Sequence, residues 1–196
     1  GDPASVGDYP SATSVFDVTS EGLARIISSL NCGLDYAGKE IGRPTSFAIG
    51  GAFNSLADDL DKEISRLEKK RESGVNFLMT QPVFDLDALR SAVRMLPTDW
   101  RLPILVGILP LRSSRHAEFL HNEVPGITIP DPIRKRLAES DAQAARAEGV
   151  RIARDIYQAA RREFGGVYFM PPFGNFDVVR EVVDPAGTPH RNAPHR

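Results

Sequence analysis

The chain has 196 residues, 41% of them apolar and 26% charged, with 24 Lys and Arg against 26 Asp and Glu. That balance excludes a collagen-like chain, a disulfide scaffold and a largely disordered polymer. The net charge of −2 gives no basic excess toward nucleic acid, and no apolar run reaches the roughly 18–20 residues of a membrane span.

The lone cysteine, Cys32, excludes an internal disulfide and a Cys-rich zinc site, and fits a reducing, cytoplasmic compartment. No signal peptide is evident. The chain opens at Gly1-Asp2-Pro3 without an initiator Met, so its start is expected to be missing. Residues 1–19, rich in Gly, Pro, Ser and Asp, read as a long loop. A helix is expected from Ser20, with Leu23, Ile26, Ile27 and Leu30 as its apolar stripe and Asn31-Cys32-Gly33 as its C-cap.

Residues 45–53, apolar and without a 3.6 period, predict a buried strand ending in the pair Gly50-Gly51. The following stretch, 55–74, puts Leu56, Leu60, Ile64 and Leu67 on one helix face and stops at Gly74. A second strand is expected over 75–84, then a helix capped by Asp85 with Leu86, Leu89, Val93 and Leu96 on its inner face. A third strand covers 102–109 and ends at Pro110, and Ser113-Ser114 can cap a short helix through His121. After a turn-rich VPGITIPDP come a short basic helix, Ile133 to Glu139, and a longer Ala-rich one, about Asp141 to Glu163. The fourth strand, 166–170, breaks at Pro171-Pro172-Phe173-Gly174 and is followed by a last helix, Phe176 to Val183. The remaining residues, 184–196, read as a disordered Pro/His/Arg tail.

Apolar strands alternating with amphipathic helices are the mark of parallel βα units. Periodicity leaves half of a (βα)8 barrel and a small doubly wound sheet both open. In either, ligands sit beyond the C-terminal ends of the strands, which draws attention to Gly50-Gly51, Thr80-Gln81, Pro110 with its serines, and Pro171 to Gly174.

Among polar residues, Gln81 offers an amide donor and acceptor suited to a heterocycle, though a polar residue leaving a strand is also ordinary. Arg66, Lys69 and Lys70 could hold a phosphate or diphosphate, or form a solvated charged face. Asp2, in a loop, could tune an aromatic cofactor or be a turn residue. His116 and His121 are five apart, not the i, i+4 spacing of a helical metal pair, so no metal site is expected. There is no GxGxxG fingerprint, P-loop or G-x-S-x-G.

The segments GDP…GDYP, FAIGGAFN, DLDKEISRLEKK, FLMTQPVFD, ILVGILPLRSS, EFLHNEVPGITIP and YFMPPFG resemble methylenetetrahydrofolate reductases from Gly1 to about Val183. EFLHNEVPG and MPPFG are most similar to the reductase half of the bacterial bifunctional enzymes that join it to a homocysteine S-methyltransferase. The resemblance implies that residues 1–183 are the C-terminal half of a (βα)8 barrel: four parallel βα units plus the loop after the preceding strand. It implies an FAD enzyme of one-carbon and methionine metabolism. NAD(P)H and 5,10-methylenetetrahydrofolate would react in a ping-pong scheme to give 5-methyltetrahydrofolate, in a homo-oligomeric full-length protein. The family's catalytic glutamate and part of its flavin site would lie in the absent first half, so the isolated chain is expected to be inactive.

By position, the resemblance assigns Gly1 and Asp2 to the flavin and folate, and Thr19 and Ser20 to the backbone lining FAD. Gly50 and Asn54 match the rim of the strand, where other members carry Tyr and His. Glu63, Arg66, Lys69 and Lys70 match the helix holding the FAD ribose and diphosphate. Gln81 matches the Gln that bonds the pterin and contacts nicotinamide, and His116 and Leu120 match substrate contacts. Where this branch usually has a basic residue shortly after PPFG, the chain has Asn175. The alternative function is a non-catalytic half-barrel that binds or assembles.

Overall fold

A computed structural model describes residues 18–100 and 102–184. The assignments of Gly1 and Asp2, and nearly all of the tail, fall outside these residues. The described chain divides into two compact units. One comprises residues up to Gly51 with Arg66–Asn76, the other Ala52–Ser65 with the residues from Phe77 onward.

In the first unit, α1 (Ser20–Asn31) begins at Thr19, whose hydroxyl accepts the Gly22 N–H at 3.1 Å. The expected stripe is only partly covered: Ile26, Ile27 and Leu30 are half-buried, whereas Leu23 remains 54% exposed. The strand expected from residue 45 is shorter than its apolar run. Asn31 at the end of α1 takes the backbone of Phe47 on both sides, accepting its N–H at 2.8 Å and donating to its carbonyl at 2.9 Å. The Asn76 carboxamide accepts the Ile49 N–H at 2.9 Å. Those side chains satisfy groups that a ladder would otherwise pair, and β1 is Gly50–Phe53. Gly50-Gly51 therefore opens the strand rather than ending it, a correction to the sequence expectation.

The helix after β1 also starts late. Asp59 accepts the Lys62 N–H at 2.9 Å, and α2 runs Leu60–Glu72. Gly74 then takes φ +98°, and a β-carbon there would stand 2.8 Å from the Ser28 hydroxyl, so only glycine fits the turn.

The second unit carries β2 (Phe77–Pro82), α3 (Leu86–Arg94), β3 (Ile104–Ile108), α4 (Ser114–Glu123), α5 (Asp131–Ala138), α6 (Ala142–Glu163), β4 (Gly166–Phe169) and α7 (Asp177–Val183). The four strands are parallel in one sheet, ordered β1-β2-β3-β4. Consecutive strands are neighbours throughout, so the sheet has no point where the order reverses. That separates the two architectures the sequence left open: this is a partial (βα)-barrel sheet rather than a doubly wound one. The core lies between the sheet and its helices, with Ile108, Leu111, Ala117, Leu120, Ile129, Leu137, Ile156 and Val182 in one buried cluster. α6 lies so close to the exit of β3 that a β-carbon on Gly149 would fall 1.9 Å from the Leu111 carbonyl oxygen. Among the described residues no helix is long and apolar enough to cross a membrane.

Candidate functional site

The site grows from an irregularity in β2. Met79 pairs with Leu105 and Pro82 with Gly107, so Thr80 and Gln81 together oppose one residue of β3. This is a bulge, and its cause is chemical. The buried Thr80 hydroxyl accepts the Gly107 N–H at 3.0 Å and donates to the Gln81 carbonyl at 2.7 Å, replacing a rung of the ladder with a side chain. On the other side Tyr168 donates its phenol O–H to the Thr80 carbonyl at 2.5 Å. It reaches across β3 because Gly107 has no side chain: a β-carbon there would stand 2.9 Å from the phenol oxygen. Burial pushes the Tyr168 phenol up, so it stays a donor at neutral pH.

A bulge re-aims the side chain that follows it. Gln81 is exposed, and among the described residues its amide has no hydrogen-bond partner. Gly126, at φ +82° in the Val124-Pro125-Gly126-Ile127 turn, closes on it. A β-carbon there would be 3.5 Å from both the Gln81 Cγ and the Asn54 Nδ2, so Asn54, Gln81 and the Gly126 backbone form one group. Asn54 is held from behind: its N–H donates to the Glu63 carboxylate at 2.9 Å, and its own side-chain oxygen accepts the Leu56 N–H at 3.2 Å. Glu63 is itself buried, so that carboxylate braces the strand end.

Beyond β3 the chain turns into α4 at Ser113, whose hydroxyl accepts the His116 N–H at 3.2 Å. The His116 Nδ1 accepts the Arg112 backbone N–H at 3.3 Å, which leaves the ring proton on Nε2. Burial first, and the Arg112 charge second, lower the His116 pKa, so the ring is neutral at pH 7. His116 lies on the wall of a cavity of about 680 Å³ lined also by Arg112, Ser113, Arg115, Phe119, Ala142, Arg146 and Phe173. Leu120 packs into the core instead, 7% exposed, while its neighbour Phe119 faces the cavity.

The remaining assigned residues lie in the first unit, apart from Glu63. Thr19 caps α1, and Ser20 opens it. Glu21 is held below the usual carboxylate range by its own backbone N–H first, then by the Thr19 and Ser20 hydroxyls and the Lys70 charge. Gly50 is exposed. On α2, Arg66 and Lys69 are exposed, whereas Lys70 is buried. The structure thus gathers Asn54 and Gln81 and sets His116 on a cavity. It leaves Leu120 in the core and Lys70 beneath the surface.

The family model of methylenetetrahydrofolate reductase matches residues 7–170, most of the chain. The chain belongs to the methylenetetrahydrofolate reductase family. No curated protein matches it. A solved structure described as an uncharacterized protein from Clostridium thermocellum that binds two copies of 5-methyl-5,6,7,8-tetrahydrofolic acid is 18% identical, with a TM-score of 0.51. The alignment covers 69% of this chain and 51% of that one, so the chain spans about half that protein's length, and at this identity the likeness speaks to the fold.

For this member of the reductase family, sequence reasoning passed over Arg112, Arg115, Phe119 and Arg146, and reached Phe173 only as part of the strand exit Pro171 to Gly174. They come from three separate segments and meet only on the cavity wall. The one local signal was the pair of prolines before Phe173, which forces an irregular backbone where an aromatic residue stands.

Proposed function

We propose that the chain is the C-terminal part of an FAD-dependent reductase that converts 5,10-methylenetetrahydrofolate to 5-methyltetrahydrofolate with NAD(P)H. Family membership supports the chemistry, and the observation that carries the site is the exposed Gln81 amide, aimed by the Thr80 bulge and bordered by Asn54 and Gly126. A carboxamide fixed at a strand end can accept from an amino group and donate to a ring oxygen or nitrogen of a pterin at once. The reference state matters here: a site built to pair such edges discriminates strongly against ligands lacking them. His116, neutral with its proton on Nε2, offers a second donor that needs no titration near pH 7.

The donor set on α2 fits FAD in part. Arg66 and Lys69 are exposed cations one turn apart and would hold the diphosphate. Lys70 is buried and Glu63 is occupied by the Asn54 N–H, so neither stands open in this structure as a direct ligand. When bound, the flavin supplies hydride transfer between the nicotinamide and the folate. The chain's own residues then orient: Gln81 fixes the pterin edge, and His116, on the cavity after β3, offers a further donor to the substrate. Asp2, by its match to the family, would tune the flavin. A bifunctional parent carrying a homocysteine methyltransferase belongs to the same reading, as does a homo-oligomer in a cytoplasmic setting.

The test is the visible spectrum of the protein purified from its full reading frame. A flavin band that bleaches with anaerobic NADH and recovers on adding methylenetetrahydrofolate is the expected result. A protein that takes up no flavin from excess FAD refutes the reductase reading. If that same protein binds 5-methyltetrahydrofolate, the non-catalytic binding module takes its place.

A further inference from the structure

His121 stands outside the site described above, near the end of α4, and it reaches beyond its own helix. Its Nδ1 accepts the Ile129 N–H at 3.1 Å, eight residues on, so the ring proton sits on Nε2. Between the two, the chain leaves α4, turns at Val124-Pro125-Gly126-Ile127 and comes back to the ring. Among the described residues two hydrogen bonds hold this segment. The Ile127 N–H donates to the Val124 carbonyl at a long 3.3 Å, and the Ile129 N–H donates to His121. Pro125 and Pro130 have no N–H to add. Ile129 is 1% exposed, so without the ring its N–H would be left buried and unpaired.

The tip of the segment is Gly126, and it meets Gln81. Gly126 takes φ +82°, a conformation that favours glycine. A β-carbon on it would lie 3.5 Å from the Gln81 Cγ and 3.5 Å from the Asn54 Nδ2, which are ordinary van der Waals distances. The glycine is therefore needed for the direction of the turn rather than for room, and the turn stands as a wall against the middle of the Gln81 side chain. The Thr80 bulge aims the base of that side chain. Its exposed end keeps its rotamer freedom unless something blocks it. A glutamine that its ligand must order binds that ligand more weakly, and a wall at Cγ removes part of the cost in advance.

We propose that His121 is a positioning residue for Gln81: by holding the Ile129 N–H it sets the Gly126 turn against the side chain and keeps the amide in its binding rotamer. His121 touches no substrate and acts through two intermediates, the turn and the amide. The proposal rests on the folate reading for the ligand that Gln81 meets, and deepens it by adding the device that presents the amide. The segment HNEVPGITI thereby has a role beyond resemblance: an acceptor ring, a Pro-Gly turn and a buried donor form one clamp beside the strand ends.

The experiment uses the protein from its full reading frame and a pair of variants. An asparagine at 121 can place its Oδ1 where Nδ1 stood, whereas a glutamine carries its oxygen one bond further, where Nε2 stood. His121→Asn should bind 5-methyltetrahydrofolate within about twofold of the parent, and His121→Gln on the order of tenfold more weakly, the loss of one buried hydrogen bond. His121→Ala repeats the comparison should His121→Gln fail to fold. In a Gln81→Ala background His121→Gln should cost nothing further, because it acts through that amide. The Gln81 side-chain amide resonance, identified by its disappearance in Gln81→Ala, should move in His121→Gln and hold in His121→Asn. An Asn variant as weak as the Gln variant overturns the proposal. So does a His121→Gln loss that persists without Gln81, since His121 would then act on the fold at large. If Gln81→Ala weakens folate binding while His121→Gln changes neither binding nor the resonance, the proposal fails and the folate reading survives. If no folate binds the parent, the folate reading fails and the resonance alone decides: moved in the Gln variant and held in the Asn variant, it upholds the positioning, and unmoved in both it overturns it.

Discussion

Thr80→Val tests the link between the bulge and the site. Valine matches threonine in shape, so no cavity opens, but the hydroxyl is lost from a position 3% exposed. The Gly107 N–H, now paired at 3.0 Å to that hydroxyl, is left buried and unpaired at a cost of about 1–3 kcal/mol. The hydroxyl's bond to the Gln81 carbonyl, at 2.7 Å, contributes roughly another 1 kcal/mol. The expected loss is therefore about 2–4 kcal/mol, read as a lower urea midpoint at an unchanged slope. Thr80→Ser is the matched control: it keeps both bonds, gives up one methyl group and should lose about 1 kcal/mol. Because the bulge aims Gln81, Thr80→Val should also weaken 5-methyltetrahydrofolate binding more than Thr80→Ser does. Equal stabilities and equal affinities for the two variants would refute the reasoning, since the hydroxyl would then be idle.

Gln81→Ala should slow the folate half-reaction far more than flavin reduction by NADH, measured by rapid mixing; equal slowing of both halves would remove the amide from the pterin edge. Gly149→Ala, which in an exposed helix would gain about 1 kcal/mol, should here lose about 3 kcal/mol or more, because its β-carbon would meet the Leu111 carbonyl oxygen at 1.9 Å; a calorimetric melt decides the sign. The His116 ring should titrate below its ordinary 6.5 by proton NMR, and Arg112→Ala should move the midpoint upward. Its depressed value favours the neutral ring in the fold, so the associated stability is complete above 6.5 and is lost as pH falls through the folded midpoint; a midpoint above 6.5 would contradict the burial described.

The reach of the sequence can be judged from where its elements stop. The four strands lie within the apolar runs, and the helix pattern between them is as the periodicity implies, because burial on the sheet imposes both. The ends differ where a polar side chain competes for the backbone. Asn31 and Asn76 shorten the first strand, Asp59 delays α2, and Thr80 inserts the bulge. Each of these is a side chain bonding to backbone, three of them at separations of 16, 27 and 27 residues, and no local pattern encodes such a partner. Barrel-type order against a doubly wound one was equally out of reach, being a matter of which strands neighbour which. The same distinction governs the site. Gln81 was legible as an amide at a strand end, but the reason it faces outward lies in Thr80, Gly107 and Tyr168, which belong to three different strands. The cavity is the extreme case: Arg112 and Arg146 have ordinary local sequence, and only the fold brings them together with Phe173 of the marked Pro171 to Gly174 exit. A residue that breaks a local rule with nothing buried to compensate, as Phe173 does at φ +54° and 82% exposed, is then the strongest pointer to function that the folded chain adds to its sequence.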